Sequence, residues 1–171
     1  MRRSVGVLAG LALGLVGAPT PPADAVGVGA CLITGTITFT PSALTPAHGA
    51  WDISPATILC RGQFNTYELM LKQGSFKGSG SFTSLPSGEA GCIRELGTGM
   101  VDYWIPTEKQ DVHMKEEFAF LLSGAGAFTT PTLRGVFQIP AQGNCLTGPA
   151  NKATFLAEVS LVRISGADYT P

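Results

Sequence analysis

Charge is scarce in this chain. Only 13% of its 171 residues are Asp, Glu, Lys or Arg, eleven basic against twelve acidic, with no run of either sign. Phosphate backbones and anionic bilayer surfaces are recognised by clustered cations, so this composition excludes a nucleic-acid-binding tail, and it equally excludes a disordered acidic segment. Histidine is limited to His48 and His113, and no apolar stretch reaches the eighteen residues that a membrane-spanning helix needs. Nucleophile-elbow, phosphate-loop and dinucleotide signatures are all missing, and Gly78-Ser79-Gly80-Ser81 is small-residue backbone accommodation, with no Gly-x-Ser-x-Gly. The four cysteines, Cys31, Cys60, Cys92 and Cys145, stand 29, 32 and 53 residues apart, whereas zinc motifs need pairs two to four apart. No cofactor and no metal site is expected.

What is present points to export. Met1-Arg2-Arg3 supplies a positive start, Val5 to Gly17 an uncharged apolar core of thirteen residues, and Ala23-Asp24-Ala25 a small-x-small cleavage pattern. Residues 1–25 are therefore a signal peptide, and residues 26–171 a single secreted β-domain beginning at Val26. Taking 25 from 171 leaves 146 residues, and losing Arg2, Arg3 and Asp24 moves the net charge from -1 to about -2. A chain of that length buries roughly 68% of its unfolded surface, enough for a self-sufficient core. A competing cut before Cys31, in Val28-Gly29-Ala30-Cys31, would leave that cysteine acylated and the protein lipid-anchored. It would also leave three cysteines, an odd number, in an oxidising compartment, so four bridged cysteines are the preferred reading. Sequential pairing, Cys31 with Cys60 and Cys92 with Cys145, keeps each closed loop local.

Apolar residues recur with period two almost throughout, the spacing of a half-buried strand. Cys31, Ile33, Ile37 and Phe39 alternate with threonines; Tyr67, Leu69 and Leu71 alternate across Phe64 to Lys72; Phe76 and Phe82 share a face with Gly78 and Gly80. The same period runs through Leu133 to Ile139 and Phe155 to Leu161. Further strands are expected at Trp51 to Ile53, Ala56 to Cys60, Cys92 to Leu96, Gly99 to Ile105 and Val112 to Leu122, with turns at Pro86-Ser87-Gly88 and Ser123 to Gly126. Lys109 to Leu122 also fits an amphipathic helix, but the strand reading gathers Val112, Met114, Phe118, Phe120 and Leu122 on one face. With 22 glycines and 12 prolines opposing long helices, the fold class is all-β: an antiparallel β-sandwich of immunoglobulin-like architecture or a small β-barrel, of about eight to ten strands, stapled by disulfides.

The segment from Gly29 to Leu44, with Cys60 and the glycine-punctuated Cys92 region after it, resembles small secreted β-proteins of high-GC Gram-positive bacteria. The resemblance covers the signal peptide and first mature strand best, implies export and a β fold, and carries no functional residue across.

Candidate site residues centre on Tyr103-Trp104. Adjacent residues of a strand point to opposite faces, so one of these two rings leaves the face the other occupies. The exposed ring lies near the polar segment containing Lys109, Asp111, His113 and Glu117, an aromatic anchor with a charged rim. His113 shares a strand face with Asp111 and Glu117, a set that serves a mixed-charge solvent surface. Carboxylates such as Glu68, Glu95, Asp102, Glu116 and Glu158 fall in alternating strands whose outward faces call for charge, and a small secreted hydrolase or carbohydrate-active protein would need two of them across a cleft. The favoured expectation is a secreted, non-catalytic domain binding a protein or cell-envelope partner.

Overall fold

The computed structural model describes residues 29–41, 48–65, 67–85, 94–122, 126–139 and 151–162. The signal peptide and the Cys92–Cys145 bridge expected from the sequence lie outside the described residues. Among the described residues ten strands follow in chain order: β1 (Ala30–Thr40), β2 (His48–Arg61), β3 (Gln63–Phe64), β4 (Tyr67–Glu68), β5 (Gln73–Leu85), β6 (Arg94–Ile105), β7 (Val112–Leu122), β8 (Gly126–Thr129), β9 (Leu133–Gln138) and β10 (Lys152–Leu161). Eight of them close into an antiparallel barrel in the order β1-β10-β9-β8-β7-β6-β5-β2, while β3 and β4 form a separate two-stranded hairpin. Sequence neighbours are thus spatial neighbours, and pairing of the first strand with the last, from Ala30 opposite Ser160 to Thr38 opposite Lys152, shuts the sheet. Of the two all-β arrangements expected, the chain adopts the barrel and not the immunoglobulin-like sandwich.

The alternation seen in the sequence becomes the inside and outside of this wall. In β7 the inward set is Met114, Glu116, Phe118, Phe120 and Leu122, and the competing helix does not form. An eight-stranded barrel has an interior just wide enough to be filled by side chains. Here the filling is aromatic: Phe120 stacks on Phe137 at 5.9 Å, Phe137 on Phe155 at 4.9 Å, and Phe118 meets Phe128 edge-on at 4.8 Å.

Trp51 explains the glycines of β5 and β6. Phe39, Trp51, Gly80, Gly99 and Phe118 are successive register partners around the wall. The indole crosses the two bare glycine positions to reach Phe118 at 5.2 Å, and its Nε1–H donates to the Ser81 and Thr98 carbonyls, each at 3.1 Å. A Cβ on Gly99 would stand 2.7 Å from that ring and 2.2 Å from the Ser79 carbonyl oxygen, so only glycine admits the indole there.

Several expected boundaries shift. Trp51 to Ile53 and Ala56 to Cys60 are one strand, β2, with the register shift between Ile53 and Ala56 where Pro55 removes a donor. The β6 strand, described from Arg94, runs unbroken through Gly97 and Gly99. Phe64 to Lys72 is not a continuous strand but the short β3–β4 hairpin, entered through Gly62 at φ 93° and turned at Asn65 with φ 55°. That hairpin covers one end of the barrel with Phe64 and Leu69, and the Leu69 N–H donates to the Gly62 carbonyl at 2.9 Å. The cluster Ser123 to Gly126, expected to be a turn, ends in β8 at Gly126.

Cys31 and Cys60 are bridged as expected. They are inward-facing register partners on β1 and β2, so the bond joins hydrogen-bonded neighbours inside the barrel and does not staple two separate sheets.

Candidate functional site

The alternation of β6 separates Tyr103 from Trp104, as adjacency in a strand requires. Tyr103 is fully buried, whereas Trp104 is 43% exposed on the outer wall. Tyr103 therefore leaves the set of surface candidates. Its hydroxyl donates to Glu116 Oε2 at 2.9 Å and contacts Thr132 Oγ1, and Thr132 Oγ1–H donates to the same carboxylate oxygen at 2.7 Å. Burial raises the Tyr103 phenol far above its ordinary value, so it remains a proton donor in this network. The carboxylate sits where β8 stops: β8 pairs with β7 only from Ala119 to Leu121, and below that point the backbone N–H of Thr132 turns to Glu116. Glu116 is thus an inward structural acid, not one of the outward carboxylates expected from the sequence.

On the outside, Trp104 and His113 are register partners on β6 and β7, and their rings stack at 4.2 Å and 10°. His113 Nε2 lies 2.9 Å from Asp102 Oδ1, and the Lys77 ammonium lies 3.6 Å from Asp102 Oδ2. The hydrogen bond from His113, with the Lys77 charge behind it, holds the Asp102 carboxyl below its usual value. Four side chains from three adjacent strands therefore fix one another: Lys77 orients Asp102, Asp102 orients the imidazole, and the imidazole supports the indole. Lys77 was not among the residues expected, and Asp102 was expected only as a candidate site acid, because the sequence does not display the register that places the two opposite each other.

The remaining candidates scatter around this cluster. Lys109 places its ammonium 5.6 Å from the centre of the Tyr67 ring, Asp111 is exposed at the end of the connection into β7, and Glu117 borders a depression of about 580 Å³ where β7 and β8 diverge. His113 and Asp102 make an acid–imidazole pair, but among the described residues no hydroxyl or thiol lies within hydrogen-bond reach of His113. The pair sits on the exposed outer wall, with the His113 side chain 44% and the Asp102 side chain 26% exposed. That arrangement orients an imidazole without supplying the nucleophile that acyl transfer requires. Among the described residues no group of three or more His, Cys, Asp or Glu is placed to hold a metal.

Glu95 is a second correction. It faces into the barrel at the opposite end of β6, fully buried, with Oε1 accepting from Ser84 at 2.8 Å and Oε2 without a hydrogen-bond partner among the described residues. Burial pushes its pKa up to about 7, the Ser84 hydrogen bond opposing the rise. It does not converge with Asp102 and His113, which removes the paired-acid geometry of a glycosidase from these residues. No family model, curated protein or solved structure matches the chain.

Proposed function

We propose that this chain is an exported, non-catalytic binding domain that presents the outer wall of β5, β6 and β7 to a protein or cell-envelope partner, with Trp104 as the anchor. The observation that carries the reading is a half-exposed indole stacked on His113, which is itself hydrogen-bonded to Asp102 beside Lys77. Large aromatic rings dominate binding energy where they are preorganised, because little conformational entropy is then lost on association. The barrel interior is occupied by its own aromatic side chains, so contact with a partner falls to the outer face. Export is supported by the signal-like residues 1–25 and by the Cys31–Cys60 bridge, a bond that persists in oxidising compartments. Among the described residues no helix is long and apolar enough to cross a membrane.

The test is capture from culture supernatant and envelope extracts on immobilised protein, wild type against Trp104→Ala. The alanine variant is expected to bind its partner at least about sixfold more weakly, just over 1 kcal/mol, while its melting temperature changes little because the lost ring lies on the surface. Equal capture by both proteins, or loss of capture that merely follows unfolding, overturns the assignment.

A further inference from the structure

A different part of the wall carries a second site. Around the end of the barrel where β1 begins, Arg61, Ala30, Ser160 and Arg134 are successive register partners across β2, β1, β10 and β9. Small residues occupy the two middle positions and arginines the two ends, so the row is a trough closed by cations. Three strand spacings separate the arginine backbones, roughly 14 Å. The next outward row sets Leu59 and Leu32 beside the trough, each 37% exposed, and Leu71, 77% exposed, reaches the same hollow from the segment between β4 and β5. The hollow measures about 640 Å³, within the roughly 300–1,000 Å³ typical of small-molecule sites.

Two features of this trough need a ligand of mixed character. Exposed leucines of this size, gathered in one concavity, are not explained by the core, which is complete beneath them. Neither arginine takes part in an ion pair among the described residues. Glu158 lies in the row of Leu32, so the trough holds two positive charges and one negative. A guanidinium matches a carboxylate by two parallel hydrogen bonds, and aliphatic side chains match an aliphatic tail. We infer that this trough binds a monomeric amphiphile with one carboxylate head and an unbranched aliphatic chain, the head lying between Arg61 and Arg134 and the tail along Leu32, Leu59 and Leu71. The site stands apart from the Trp104 cluster and does not depend on it.

The experiment is an amide-resolved NMR titration of the purified protein with octanoate below its micellar concentration. Saturable shifts are expected at Ala30, Gly135 and Ser160, with Arg61→Gln/Arg134→Gln weakening binding by about tenfold, the scale of one lost charge-assisted hydrogen bond. Leu71→Ser should weaken it several-fold, and Trp104→Ala should leave it unchanged. All these positions except Ala30 and Gly135 are exposed, and each single arginine substitution serves if the double variant does not fold. Absence of saturation, equal affinity for octanol, undiminished binding by the arginine variants, or association confined to anionic phospholipid vesicles would each overturn the assignment.

Discussion

Glu95 shows how far one residue's chemistry is set by its side of the wall. As a letter in the sequence it is an ordinary strand acid near glycines and aromatics. Its position in β6 turns it inward, fully buried, with Ser84 as the hydrogen-bond donor to Oε1. Burial raises its pKa from 4.5 to about 7, so between those values the folded chain holds a proton that the unfolded chain has released. Stability contributed by the neutral acid is therefore fully present below about pH 4.5 and lost as pH rises through about 7. The expected outcome is a melting temperature that falls from about pH 5 to about pH 8, by on the order of 2 kcal/mol in unfolding free energy. In Glu95→Gln, which keeps shape and neutrality, that slope should flatten; identical slopes in the two proteins would show that another group titrates. The opposite fate of Tyr103 and Trp104 was visible in the sequence, since neighbours in a strand must diverge. Which ring went inside was not, because that depends on the register of β6 against β5 and β7.

At the scale of the element, strands with clean alternation announced themselves: β1, β5, β7, β9 and β10 lie close to the segments expected. The misplacements share a cause. Glycine and proline weaken strands locally, so Pro55 and Gly97 argued for breaks. In the folded wall, neighbouring strands pair on both sides of Gly97 and Gly99, and Trp51 requires the glycines to be bare. Conversely, Phe64 to Lys72 alternates well but turns back on itself as the β3–β4 hairpin, and beyond it pairs only briefly, Leu69 with Thr107, against the chain leaving β6. The Cys31–Cys60 bond belongs to this scale, since it locks the register of β1 against β2 while closing a chain segment with a sequence separation of 29. Replacing both cysteines, Cys31→Ala/Cys60→Ala, is expected to lower stability by about 3 kcal/mol, as loss of that loop constraint implies. Urea unfolding checks it, and a midpoint equal to that of the wild type would mean the strand pairing alone sets the register.

For the molecule as a whole, closure is the decisive feature. A sheet edge exposes unpaired N–H and C=O groups and invites association, and joining β1 to β10 removes both edges at once. Truncation before Lys152 should leave β1 and β9 as open edges and, by removing Phe155, bare the ring of Phe137 that stacks on it. Such a chain is expected to aggregate and to lose its near-ultraviolet circular dichroism, and a monomeric, ordered product would show that closure is dispensable. Composition and period alone determined that this protein is all-β and poor in charge, because hydrophobic alternation and turn residues act within a few positions of one another. A barrel was within reach of that reading, but the choice between barrel and sandwich was not, since closure depends on the pairing of residues more than a hundred positions apart. The same holds for the candidate sites. Trp104 with Asp102, His113 and Lys77, and the trough between Arg61 and Arg134, bring together side chains from separate strands, and only the tertiary register places them side by side.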